Sequence, residues 1–230
     1  MNEVELRGTI SLKEYERLKY TFEKEGTVLG SSRLFSIMYS GLDLTNEVDL
    51  RCRITNKIAE LVVKTGQQDS SSREETTFKF DKNEFLNVVT LLSKLGYNKG
   101  VGGIRVSERY VYKNVEFSLV KPIALKSGKT LDKNLYYEAE ILAKKGYVND
   151  ARLKIIKTLQ ALRLTVLKES KKDILKLDRD DSLVSNKSFY DLVQELNEDA
   201  NVILNINTEQ GMKLIKKALV LCGIGLIYEK

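Results

Sequence analysis

The sequence predicts an α+β fold: an eight-stranded antiparallel β-sheet closed into a barrel, with covering helices and a mainly helical C-terminal extension. Two observations carry the strands and their order. Over the first 145 residues, short segments alternate apolar and polar residues with a period of two. Most are joined by short turns, with only two amphipathic helices between them, and closely connected strands pair antiparallel. Eight such strands can close into a barrel whose interior fills with side chains or holds one small ligand. The third observation is the charge on the strands. Their apolar faces match the helices, so the charged faces point either to solvent or into a lumen. A polar outer face is what any half-buried sheet shows. The number of arginines in register favours the lumen, because arginine is preferred where phosphate is held in a bidentate fork.

The first strand, Glu3-Val4-Glu5-Leu6-Arg7, places Glu3, Glu5 and Arg7 on one face. Ser11-Leu12-Lys13-Glu14 is a capping box opening a helix with Leu12, Tyr15, Leu18 and Phe22 on one side, ended by Gly26. Arg33 to Tyr39 reads as a strand and Gly41 to Glu47 as a turn. Val48 to Ile54 sets Asp49, Arg51 and Arg53 against Val48, Leu50, Cys52 and Ile54, and Asn56-Lys57 turns the chain. Ile58 to Thr65 aligns Glu60, Val62 and Lys64. After a polar loop, Gly66 to Ser72, the next strand aligns Arg73, Glu75, Thr77 and Lys79 opposite Phe78 and Phe80. Asp81 caps a helix carrying Phe85, Val88, Val89, Leu92 and Leu95, closed by Gly96.

Gly100-Val101-Gly102-Gly103 looks like a phosphate loop only superficially, since it precedes a strand and opens no helix. Arg105, Ser107 and Arg109 share the following strand face, and Lys113-Asn114 reverses the chain. Glu116, Ser118 and Val120 then oppose Val115, Phe117 and Leu119. The loop from Lys121 to Lys133, with the only proline, precedes an eighth strand, Asn134 to Leu142, whose Glu138 and Glu140 echo the first. Paired carboxylates on a strand lie roughly 6 to 7 Å apart and repel, which a divalent cation or a ring of arginines compensates. Residues 1–145 are thus expected to form one domain and 146–230 an extension. In that extension Asp150 to Glu169 and Ser188 to Glu198 read as helices, and Val202 to Ile206, Thr208 to Leu221 and Gly225 to Tyr228 as strand, helix, strand. Either a small βαβ-like unit or a helical cap fits, and neither is assigned chemistry.

Composition narrows the chemistry. The chain has 230 residues, a net charge of +6, two cysteines and no histidine. Two cysteines are too few for a disulfide framework. The absence of histidine removes the usual general base and every Ser-His or Cys-His nucleophile pair, leaving carboxylates, lysines, arginines and metal. The positive charge suggests anionic partners, and its spread along the chain favours a phosphate-bearing ligand over a nucleic-acid track. No run approaches the roughly 20 apolar residues of a membrane span, and the charged start leaves no room for a signal peptide. A cytoplasmic location is the expectation.

Glu3-x-Glu5-x-Arg7, Leu50-Arg51-Cys52-Arg53-Ile54, Glu60-Leu61-Val62-Val63-Lys64, Arg73-x-Glu75 and Glu138-x-Glu140, taken as an ordered series, resemble the CYTH, or triphosphate tunnel metalloenzyme, superfamily. The resemblance spans about residues 1–141. It implies an eight-stranded tunnel in which basic residues grip a linear triphosphate while glutamates of the first and last strands hold Mg²⁺ or Mn²⁺. Members include inorganic, thiamine and messenger RNA triphosphatases and class IV adenylate cyclases. Three departures stand out. Arg7 replaces the family's usual lysine, Val120 stands where an acid is expected near the end of the seventh strand, and the cyclase branch's histidine-phenylalanine pair has no room before Asn2.

The resemblance and the residues together assign metal binding to Glu3, Glu5, Glu138 and Glu140. Phosphate binding falls to Arg7, Arg51, Arg53, Lys64, Arg73, Arg105 and Arg109. Glu60, Glu75 or Glu116 would orient water or a second metal. The expected activity is metal-dependent hydrolysis of a small-molecule triphosphate or nucleotide. A cyclase and a binding module that has lost turnover are the alternatives. No membrane partner is expected, a nucleic acid only as a 5′-triphosphate RNA end, and the chain is expected as a monomer or homodimer.

Overall fold

The structure is a computed structural model that describes residues 2–39, 48–66, 72–168 and 183–224. Eight strands form its frame: β1 (Asn2–Thr9), β2 (Thr27–Met38), β3 (Val48–Ile54), β4 (Ala59–Thr65), β5 (Ser72–Phe80), β6 (Lys99–Tyr112), β7 (Val115–Ile123) and β8 (Tyr136–Ala143). They pair in the order β6-β2-β3-β4-β5-β1-β8-β7, and β7 pairs back onto β6, so the eight form a closed ring. Every pairing in the ring is antiparallel. The expected turn at Gly41 to Glu47 and the strand at Gly225 to Tyr228 lie outside the described residues, as do residues 67–71 of the polar loop.

The outward faces carry two cores. Val4 and Leu6 of β1 and Phe117 and Leu119 of β7 bury against α1 (Leu12–Glu25) and α3 (Val148–Ala161). Phe35, Cys52 and Ile54 pack against α2 (Phe85–Lys94) and α5 (Glu209–Leu221). Burying this set forces the alternate residues inward. The capping box at Ser11 and Glu14 is present, with Glu14 N donating to Ser11 Oγ at 3.2 Å. At the β6–β7 turn, Lys113 and Asn114 both take positive φ, 51° and 58°, the conformation a tight two-residue hairpin requires.

Three expectations change. β2 begins at Thr27 rather than Arg33, because its first residues are exposed and a register shift separates Val28 from Gly30, so no alternation marks them. The helix expected from Asp150 to Glu169 stops at Ala161. Arg163 takes φ 54° there, its N–H donates to Gln160 O at 3.0 Å, and Leu164 N donates to Leu159 O at 3.0 Å, a Schellman stop without glycine. The chain then runs into a short strand, β9 (Val166–Lys168), which pairs in parallel with β10 (Val184–Ser188). The Gly100 to Gly103 stretch lies within β6 instead of preceding a strand.

In the extension, α4 (Phe189–Asp199) is capped by Ser188, and β11 (Val202–Asn205) pairs antiparallel with the start of β6. A Cβ on Gly103 would sit 2.2 Å from Asn201 Oδ1, so glycine there lets the end of α4 close onto the ring. No helix among the described residues is long and apolar enough to cross a membrane.

Candidate functional site

Strand register sets the polar interior. Glu5 lies opposite Glu140, and Glu140 opposite Glu116, so three glutamates form one row across β1, β8 and β7. The next row sets Arg7 opposite Glu138 and Glu138 opposite Ser118. Like charges placed directly across strands repel. Basic residues answer most of that repulsion. Arg7 Nε donates to Glu5 at 2.5 Å, Arg105 to Glu138 at 2.9 Å, and Arg109 Nε to Glu116 at 2.7 Å. Lys64 pairs with Glu3 and, at 2.9 Å, with Glu75. Burial alone would raise the Glu5 carboxyl, but Arg7, Lys64 and Arg105 outweigh it and bring it down to about 2.

Two inward groups are left over. Glu140 makes no hydrogen bond or ion pair among the described residues; burial, then Glu5, Glu3, Glu138 and Glu116, push its carboxyl up to about 8. Arg53 likewise has no hydrogen-bond or ion-pair partner among the described residues. Burial, then Arg51 and Arg105, hold its guanidinium down at about 10.

Arg7, Arg51, Arg53 and Arg105, with Asp49 and Glu138, line a cavity of about 130 Å³ inside the ring. Its other wall belongs to α4, which lies across this end, and Phe189 stacks 4.6 Å from the Arg7 guanidinium carbon. The opposite end opens into a hollow of about 370 Å³ that Arg53 also lines, together with Glu60, Lys57, Lys79 and Arg109.

The structure thus brings four of the seven expected phosphate ligands to one cavity. Lys64 and Arg73 stand apart in buried ion pairs, and Arg109 at the far mouth. The three expected water-orienting carboxylates are not brought together: Glu75 is held by Lys64, Glu60 lies at the far mouth 3.9 Å from Lys79, and Glu116 joins the Glu140 row. Val120 is fully buried in an apolar cluster with Tyr136, Leu167 and Leu192, so the absent acid is replaced by packing against α4.

Sequence reasoning placed Asp49 on the inward face but gave it no role. It is 2% exposed, accepts from Arg51 Nε at 2.9 Å on both oxygens, and from Arg73 Nη1 at 3.2 Å. It aims Arg51 and keeps Arg73 paired. In Asp49→Ala two cations lose a buried partner, which costs about 3 kcal/mol. Thermal melting of the variant is expected roughly 10 °C below the parent; a shift under about 2 °C would show that Asp49 does not hold this wall.

For a metal, the donors are hard carboxylate oxygens, the chemistry that Mg²⁺ and Mn²⁺ take, and the unpaired Glu140 within a row of glutamates fits a cation. No group of three ligating side chains stands ready-made among the described residues, because Lys64, Arg7, Arg105 and Arg109 occupy the neighbouring carboxylates. The site therefore combines a cation and a carboxyl group that are both unpaired among the described residues and both face inward, one suited to an anion and the other to a cation.

Comparison of the sequence with known families and curated proteins finds no match. The fold does match solved structures. The PH1819 protein of Pyrococcus horikoshii is 22% identical, with a TM-score of 0.54 over 77% of this chain and 99% of that one. HpAC1 of Hippeastrum, an adenylyl cyclase candidate described as revealing a dominant triphosphatase activity, is 15% identical, with a TM-score of 0.51 over 77% and 96%. A chain of the Schizosaccharomyces pombe Mediator head module is 13% identical, with a TM-score of 0.54 over 71% and 95%. The fold is the CYTH type that the strand motifs resemble. Since one fold serves such different proteins, the function rests on the site.

Proposed function

We propose that this chain, which has the CYTH-type fold, binds triphosphate compounds inside its ring of strands and hydrolyses them with Mg²⁺ or Mn²⁺. The observation that carries the reading is Arg53: a cation without a hydrogen-bond or ion-pair partner among the described residues, beside two further arginines, in a cavity inside the ring. Arginines held together against their own repulsion are stabilised by a polyanion. The triphosphatase activity described for the similarly folded HpAC1 supports it.

Arg51, Arg53, Arg105 and Arg7 would grip the phosphate oxygens, with Asp49 fixing Arg51. Glu140, with Glu3, Glu5 and Glu138, would hold the metal, which when bound neutralises phosphate charge and favours attack at phosphorus. Glu116, next to Glu140 in register, would take a proton from the attacking water. Water oxygen bonds to the terminal phosphorus, the bridging P–O bond breaks, and orthophosphate and the diphosphate leave, the diphosphate keeping the bridging oxygen.

A second reading has its own observation. With Glu3, Glu5, Glu116 and Glu138 all paired to basic residues, the chain can clamp a polyphosphate without turning it over. Phosphate release measured over tripolyphosphate, nucleoside triphosphates and thiamine triphosphate, with each metal, separates the two. Orthophosphate release that stops in excess chelator is the expected result. Tight binding without release supports the binding module, pyrophosphate release from ATP supports a cyclase, and no binding at all overturns the site.

A further inference from the structure

The two edges of β2 are occupied unequally. Along one edge the strand pairs with β6 from Thr27 opposite Val111 to Met38 opposite Val101, whereas on the other β3 reaches only Phe35 to Met38. Among the described residues no backbone group pairs with that second edge over residues 27–34. Tyr39 N donates to Leu50 O of β3 at 3.0 Å, and the direction of the backbone groups alternates along a ladder. The N–H and C=O of Ser31 and Arg33 therefore point the same way as those of Tyr39, away from β6. A long open edge invites another chain, and proteins usually blunt it with lysine, proline or a bulge. A bulge between Val28 and Gly30, with Gly30 at φ 118°, interrupts only the start of this one. Arg33, the one charge on it, is turned aside, its Nη1 donating to Leu221 O at 2.6 Å.

The space beside this edge is the hollow at the open end of the ring. Leu29, Ser31, Ser32 and Leu34 line one side of it and the β3–β4 turn, Thr55 to Ile58, the other. A strand laid there would continue the line of β3 beyond Ile54. The charge of the hollow narrows what that strand is made of. Arg53, Lys57, Lys79 and Arg109 line it against Glu60, whose carboxylate lies 3.9 Å from Lys79. A polyphosphate suits those cations but cannot pair with a row of strand groups, whereas an extended acidic chain meets both. We propose that residues 27–34 of β2 form a docking edge for an extended acidic peptide, which adds a strand beside β2 and sets its carboxylates toward Lys57, Lys79 and Arg109. Side chains of a strand alternate between faces, so the residues between the acids face outward. Val28, opposite Tyr110 of the α1 core, is 57% exposed there, and apolar residues fit it.

Fluorescence anisotropy of a labelled peptide of alternating glutamate and valine, titrated with the full chain, tests the edge. The comparison peptide is N-methylated at every residue, which keeps the side chains and charge and removes the backbone donors. The unmodified peptide is expected to bind at least about tenfold tighter, the effect of one or two hydrogen bonds. Ser31→Pro removes an edge N–H without removing a bond to β6, and erases that difference. Lys57→Glu combined with Lys79→Glu, both at exposed positions, weakens the unmodified peptide at least about tenfold, and decides the matter if the proline variant fails to fold. Equal binding of the two peptides, no binding, or parental affinity in the double variant or in folded Ser31→Pro overturns the docking edge. So does a concentration-dependent dimer of the parent that sedimentation shows to be absent in Ser31→Pro, since a second copy then holds the edge. None of these outcomes bears on the polyphosphate reading, which rests on Arg53 and the cavity under α4.

Discussion

Arg53→Ala binds tripolyphosphate about a hundredfold more weakly than the parent at neutral pH. A hydrogen bond to a charged group contributes about 1.5–3 kcal/mol, and tenfold in affinity is about 1.4 kcal/mol. The upper part of that range applies here because Arg53 makes no other bond among the described residues that a lost ligand would leave in place. The effect falls on KM more than kcat, since ground state and transition state share the contact. The ligand-free protein responds in the opposite direction. A base held down at about 10, below its ordinary value of 12.5, penalises the folded state wherever it is charged. That penalty is fully present below pH 10 and fades as pH rises from about 10 toward 12.5. Arg53→Gln, which keeps part of the stem, therefore melts higher than the parent at pH 7.5. Equal tripolyphosphate affinity in parent and Arg53→Ala would remove the arginine cluster from the site.

What the sequence made legible follows from which forces act locally. The inward set Glu3, Glu5, Arg7, Arg51, Arg53, Arg105, Glu138 and Glu140 was readable because a period of two admits only two faces, and burial of Val4, Cys52 and Phe117 decides between them. The ring's closure was readable as a class but not as a pairing list: the β6–β7 hairpin turn is local, whereas the three-residue β1–β5 contact joins residues some 70 apart. The end of α3 was not readable, since Arg163 takes a left-handed conformation that composition assigns to glycine. Nor was the role of Asp49. Alternation set it beside Arg51 and Arg53, but only the fold shows that it fixes Arg51 and keeps Arg73 paired in place of any ligand. The α4 wall was legible only as one of two alternatives, a helical cap. Phe189, Leu192 and Leu196 form the stripe of any covering helix, and nothing in such a stripe says that it covers the end of a charged ring.

Glu140→Gln lowers kcat at least about a hundredfold and raises the melting temperature of the metal-free protein. Both follow from its place between Glu5 and Glu116 in register, with Glu3 and Glu138 close enough to act on it. For catalysis, an amide oxygen carries no charge with which to hold a divalent cation, and a loss of about 3 kcal/mol of transition-state stabilisation is a factor of about a hundred. For stability, the parent confines a carboxylate that no basic residue answers among the described residues, whereas Glu3, Glu5, Glu116 and Glu138 each have a lysine or arginine. Burial and the neighbouring glutamates make folding hold Glu140 protonated well above the ordinary carboxylate range, and the amide removes that cost without removing a packing contact. Glu5→Gln separates the two effects. It also loses kcat at least about a hundredfold, but it strips Arg7 of its 2.5 Å partner and so melts below the parent instead of above it. Opposite melting shifts with a shared loss of turnover assign Glu140 to the cation and Glu5 to both the cation and the Arg7 clamp. Glu140→Gln turning over like the parent, or activity surviving excess chelator, would end the metal mechanism, whatever the melting temperatures show.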